Sequence, residues 1–80
     1  MVPIRVLLAE DHNVVREGLR LLLNAQPDIR VIGEATNGRQ AVALAREDCP
    51  DVAVLDISMP DLDGLQAASQ IRAEIGRAHV

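Results

Sequence analysis

Phenylalanine, tyrosine, tryptophan and lysine are all missing from this sequence, and cysteine occurs once, at Cys49. Without aromatics the core must be built from Leu, Ile, Val and Ala. That suits thin layers of helix on sheet but removes the largest single burial contributions. Without lysine, the positive charge is eight arginines set against twelve acids, a formal net charge of −4. An acidic chain with no basic run is a poor partner for nucleic acid or an anionic membrane. A single cysteine excludes an internal disulfide and fits a reducing compartment. Cys49 itself is expected as a partly buried small hydrophobe. No charged N-terminal region precedes an apolar run of signal-peptide length, and no apolar stretch approaches membrane-spanning length. These absences lead to the expectation of a soluble, cytoplasmic chain. Its 80 residues allow one small domain, which would be marginally stable alone.

Hydrophobic residues make up 49% of the chain, and their pattern alternates between two periods. Ile4 to Ala9 and Val52 to Leu55 are short, nearly continuous apolar runs, each cut off by acid: Glu10 and Asp11 after the first, Asp56 after the second. Such runs predict strands buried on both faces. Val31 and Ile32 predict a weaker middle strand. Between them, Val15, Leu19, Leu22 and Leu23 recur at helical spacing, with Asn13 as the expected N-cap. Ala41, Val42, Leu44 and Ala45 form a second helical face that ends before Cys49-Pro50. Leu65, Ala68 and Ile71 begin a third. Asn37-Gly38 has the composition of a hairpin turn, but a helical period follows it, so it is read as the entry to the second helix. Strand and helix alternating three times predict an α/β fold: a parallel sheet with right-handed crossovers and helices on both faces.

In such sheets, sites form beyond the carboxyl ends of the strands. Glu10, Asp11 and Asp56 all occupy that position. If the first and third strands are neighbours, three carboxylates converge, and clustering of this kind persists when a cation neutralises it. An oxygen-only donor set favours a hard divalent ion. Mg²⁺ fits best, because it accepts one or two carboxylates together with a phosphate oxygen. Asp61 and Asp63 suggest a calcium loop, but the closing Glu of that loop is missing. Pro60 and Gly64 are read as turn residues. His12 is expected to cap or precede the first helix rather than to bind metal.

The sequence resembles the receiver domain of bacterial two-component response regulators, specifically the LuxR-type (NarL-like) transcriptional subgroup. The resemblance rests on Val6-Leu7-Leu8-Ala9-Glu10-Asp11-His12, Val14-Val15-Arg16-Glu17-Gly18-Leu19, Gly33-Glu34-Ala35, Asn37-Gly38 and Pro50-Asp51-Val52. Its most specific part is Val54-Leu55-Asp56-Ile57-Ser58-Met59-Pro60 with Asp63-Gly64. It implies a flavodoxin-like (CheY-like) three-layer fold with the first and third strands adjacent. It further implies that Asp56 accepts a phosphoryl group from a sensor histidine kinase. Mg²⁺ would be held by Asp11, by Asp56, by the backbone carbonyl of Ser58, and by Glu10 through water. The domain would be a signalling module, not an enzyme. An alternative reading makes Asp56 the Mg²⁺-assisted nucleophile of a haloacid-dehalogenase-like phosphohydrolase. Those enzymes place a second acid two residues later, where this chain has Ser58.

The resemblance covers about residues 4 to 73 and implies an incomplete domain. The family's later strands and helices have no counterpart here, nor do its switch Ser or Thr, its phosphoryl-contacting Lys, or the DNA-binding helix-turn-helix domain of the subgroup. The truncated chain is therefore expected to be inactive as a switch. Its third strand is expected to be an open apolar edge that invites self-association. Residues 74 to 80 abandon the amphipathic pattern, and Ile75-Gly76-Arg77-Ala78-His79-Val80 matches translated sequencing-adapter DNA. This segment, His79 included, is expected to be a non-native tail.

Overall fold

The computed structural model describes residues 2–56 and 64–75. Three strands and three helices alternate along the chain: β1 (Ile4–Ala9), α1 (Asn13–Asn24), β2 (Ile29–Ala35), α2 (Gly38–Asp48), β3 (Val52–Leu55) and α3 (Gly64–Ile75). The strands form one parallel sheet in the order β2-β1-β3. β1 is therefore central and buried along most of its length, as its continuous apolar sequence requires. The ladder sets Ala9 opposite both Ala35 and Leu55, so all three strands finish at one level. At the other end, the Arg5 amide donates to Asp51 Oδ2 at 2.9 Å and the Asp51 amide donates to the Arg5 carbonyl at 2.8 Å. This exchange fixes the register of β3.

Alternation along β1 separates the two faces. Leu7 and Ala9 join Ala35, Ala53 and Leu55 in a core closed by Ala41, Val42 and Ala45 of α2 and Ala67, Ala68 and Ile71 of α3. The abundance of alanine lets the two helices approach the sheet closely, which compensates for the missing aromatics through packing density. Leu8 faces the other way, toward α1, in a groove it shares with Leu19 and Val54.

The start of α2 follows from Asn37. Its side-chain oxygen accepts the Gln40 amide at 2.8 Å, and Gln40 Oε1 in turn accepts the Thr36 amide at 2.7 Å. This reciprocal arrangement resembles a capping box and confirms Asn37-Gly38 as a helix entry. Gly64 likewise opens α3 instead of lying in a turn before it.

Four sequence expectations need correction. β2 is longer than Val31-Ile32. It spans seven residues and includes Gly33 and Glu34, with a register shift opposite Val6/Leu7 that leaves Ile32 as the extra residue. The bulge breaks the alternation by which a strand is read. The N-cap of α1 is His12, with no side-chain cap bond, and Asn13 is the first helical residue. The apolar stripe of α1 is largely open. No α1 residue is buried, and Leu22 remains 68% exposed, because only the Leu19 and Leu23 side rests on the sheet. Cys49 is exposed. It occupies the left-handed C-cap of α2 at φ 45°, since Pro50 disfavours continuation of the helix at the preceding residue.

Candidate functional site

The acids after β1 and β3 do meet. Glu10 continues the ladder of β1, its amide donating to the Ala35 carbonyl at 3.0 Å, and the Asp56 amide donates to the Ala9 carbonyl at 2.9 Å. Both residues are thus locked by backbone bonds at the same end of the sheet. One ligand atom from each of Glu10, Asp11, His12 and Asp56 lies within 4.8 Å of the others. The strand adjacency that the sequence argument needed is present. Ser58, Pro60, Asp61 and Asp63 fall in residues 57–63, outside the described residues.

Glu10 is buried, at 8% exposure, whereas Asp11 is half-buried. Two carboxylates about 4 Å apart at an effective dielectric near 20 repel by about 4 kcal/mol, a cost that solvent screening at Asp11 reduces. A counter-charge is available within the chain. His12 Nδ1 lies 3.2 Å from Glu10 Oε2 and 3.1 Å from Asp11 Oδ1. The hydrogen bond to Glu10, followed by the charge of Asp11, raises the imidazole pKa above its ordinary 6.5. The expectation that His12 would precede the helix holds, and its ring in addition leans on the acids.

Asp11 Oδ1 is enclosed yet has no hydrogen-bond partner. His12 Nδ1, 3.1 Å away, meets it as an ion pair only. A carboxylate oxygen without a hydrogen bond, clustered with two further carboxylates and with no thiolate among the described residues of the cluster, belongs to a donor set that fits a small, hard divalent cation. Beside it, a groove of about 350 Å³ runs between α1 and β3, with Leu19, Val54 and Leu55 on its walls and Glu10 and Asp56 at its end.

Arg16 is a residue of this site that no sequence motif marks as part of it. From the first turn of α1 it reaches back to donate to the Glu10 carbonyl through Nη1 at 3.0 Å and to Asn13 Oδ1 through Nη2 at 2.8 Å. Its Nε lies 3.6 Å from Glu34 Oε1. The available signal was a cation one helical turn after His12, close enough in sequence to fold back onto the acidic turn.

The response regulator receiver domain family matches residues 6–80. The transcriptional regulatory protein LiaR of Bacillus subtilis (strain 168) is 53% identical over 72 residues, covering 90% of this chain and 34% of that protein. The chain thus spans about a third of the length of this curated relative. A crystal structure of a two-component response regulator of the LuxR family from Aurantimonas sp. SI85-9A1 superposes with a TM-score of 0.86 at 38% identity, covering 92% of this chain and 53% of that one. The CheX–CheY–BeF3–Mg²⁺ complex from Borrelia burgdorferi gives a TM-score of 0.86 at 26% identity, covering 96% and 58%.

The His12 contact yields a prediction for protein free of divalent ions. Because its folded pKa exceeds the unfolded value of 6.5, the contact contributes stability that is complete below that pH and lost as pH rises through the raised value. Titration of the His12 ring followed by NMR should show a midpoint above 6.5, and Glu10→Gln should move it down. A midpoint unaffected by that substitution would contradict the assignment of the hydrogen bond.

Proposed function

This chain belongs to the response regulator receiver domain family, and on that premise we propose that Asp56 is its phospho-acceptor. The observation that carries the reading is the meeting of Glu10, Asp11 and Asp56 at the carboxyl ends of two paired strands, within 4.8 Å. In this proposal a histidine of a sensor kinase supplies the phosphoryl group, and Mg²⁺ is the cofactor. Asp11 and Asp56 would hold the ion directly and Glu10 through water, with the backbone carbonyl of Ser58, outside the described residues, as the remaining protein ligand. Held there, Mg²⁺ would supply positive charge against the acceptor and the incoming phosphoryl group. The Borrelia relative, whose structure contains Mg²⁺, supports the choice of ion.

The chain's own residues supply positioning. The ladder bond from the Asp56 amide to the Ala9 carbonyl holds the acceptor against the acids of β1. The product is a modified aspartate that carries information, so the module is a switch and not an enzyme. Relatives such as LiaR and YdfI of Bacillus subtilis are transcriptional regulatory proteins. In an intact parent, phosphorylation would control transcription through a C-terminal helix-turn-helix domain that contacts DNA, while this acidic segment would not. No helix among the described residues is long and apolar enough to cross a membrane.

Incubating the intact protein with acetyl phosphate and Mg²⁺ should add a single phosphoryl mass increment, and Asp56→Asn should abolish it. Continuous turnover of a phosphate ester would contradict the switch and favour the phosphohydrolase.

The 80-residue chain on its own is proposed to self-associate. Among the described residues β3 pairs only with β1, leaving an apolar edge open. Sedimentation velocity should show concentration-dependent assembly that Val54→Lys suppresses. A monomer at all concentrations would contradict this. Residues 74–80 are proposed to be no native part of the domain, although the backbone of Glu74 and Ile75 continues α3. Genomic DNA reading in frame past Ala73 into different codons should confirm it, and a genomic match to residues 74–80 would refute it.

A further inference from the structure

We propose that Arg16 is a positioning residue for the acidic turn. Through the Glu10 carbonyl it sets the direction in which Glu10 and Asp11 present their carboxylates. The inference rests on the reading of that turn as a Mg²⁺ site. The Glu10 carbonyl belongs to the rigid peptide plane that joins Glu10 to Asp11. A change in ψ of Glu10 or φ of Asp11 that the other does not cancel re-aims the chain at this turn, and with it the two side chains relative to each other. The plane is gripped from Arg16 Nη1 at 3.0 Å.

The grip is itself anchored. Arg16 Nη2 donates to Asn13 Oδ1 at 2.8 Å, and Nε lies 3.6 Å from Glu34 Oε1 on β2. Only 18% of the Arg16 side chain is exposed. The amide of the same Glu10 is held by the Ala35 carbonyl, also on β2. Glu10 is therefore tied to β2 on both sides of its Cα, once through the ladder and once through the guanidinium. A planar fork with several fixed donors can serve a carbonyl, an amide oxygen and a carboxylate at once, whereas an ammonium cannot.

Arg20 provides an internal control. It also approaches Glu34, at 3.6 Å, and Glu17, at 3.8 Å, but among the described residues it forms no hydrogen bond or ion pair with Glu10. Removing it should weaken the anchor on β2 without releasing the peptide plane.

The test measures Mg²⁺ binding by calorimetry in the intact protein, together with amide hydrogen exchange without Mg²⁺. Arg16→Ala should weaken Mg²⁺ binding about tenfold, the low end for loss of a group that orients a ligand. It should also speed exchange at Asp11 to Asn13. Arg16→Lys keeps the charge near Glu34 but not the fork, and should be weakened similarly. It carries the test if the alanine variant fails to fold. Arg20→Ala should stay within about twofold of the parent. Parent-like binding by both Arg16 variants, or equal weakening by Arg20→Ala, overturns the role of Arg16 alone. Parent binding that survives Asp11→Asn overturns the reading of the site and this inference with it.

Discussion

The side-by-side pairing of β1 and β3 is the constraint on which everything else depends. Two strands distant in sequence end at the same level because Ala9 lies opposite Leu55 and the Asp56 amide bonds to the Ala9 carbonyl. A slip of one residue would turn Asp56 away from Glu10 and Asp11, because side chains alternate faces along a strand. The Arg5–Asp51 exchange at the opposite end guards against such a slip. The acids are brought together by backbone hydrogen bonds, while their mutual repulsion opposes the arrangement. Like charges held close against their own electrostatics mark a place where a cation or a proton belongs.

The missing aromatics shape the rest. On the α2–α3 face, alanines from strands and helices close a dense layer around Leu7, Leu55 and Ile71. On the α1 face the cover is partial. Leu19 and Leu23 lean on the sheet, while Val14, Val15, Leu21 and Leu22 are exposed and, among the described residues, β3 pairs with β1 alone. The better-packed face supports the strands. The looser face borders the acids, where the groove beside Glu10 and Asp56 has Leu19, Val54 and Leu55 on its walls.

Much of this was legible in the residues. β1 and β3 were readable with their exact ends because strands buried on both faces are continuously apolar and stop at charge. β2 was only half readable, since its Gly33 and Glu34 break the pattern and its bulge arises from pairing that a sequence does not display. Strand adjacency came from resemblance, because periodicity says nothing about sheet order. The start of α1 was misjudged by one residue. Asn13 uses its side chain to accept from Arg16, which leaves the cap position to His12. Cys49 was misjudged because composition predicts burial, whereas its exposure follows from a left-handed backbone that Pro50 and the Arg5 contact to its carbonyl impose. Arg16 escapes a reading by periodicity because a side chain folding back over six residues leaves no periodic trace, only a cation close in sequence to the acidic turn.

Paramagnetic broadening by Mn²⁺, standing in for Mg²⁺, tests the central claim most directly. Titrated into isotopically labelled intact protein, Mn²⁺ should broaden the amide signals of Glu10, Asp11 and Asp56 together at the lowest additions. Asp28 and Asp51, at the other end of the strands, should stay sharp. Early broadening at Asp28 or Asp51, or at residues 10 and 11 without Asp56, would show that the two strand ends do not share a cation.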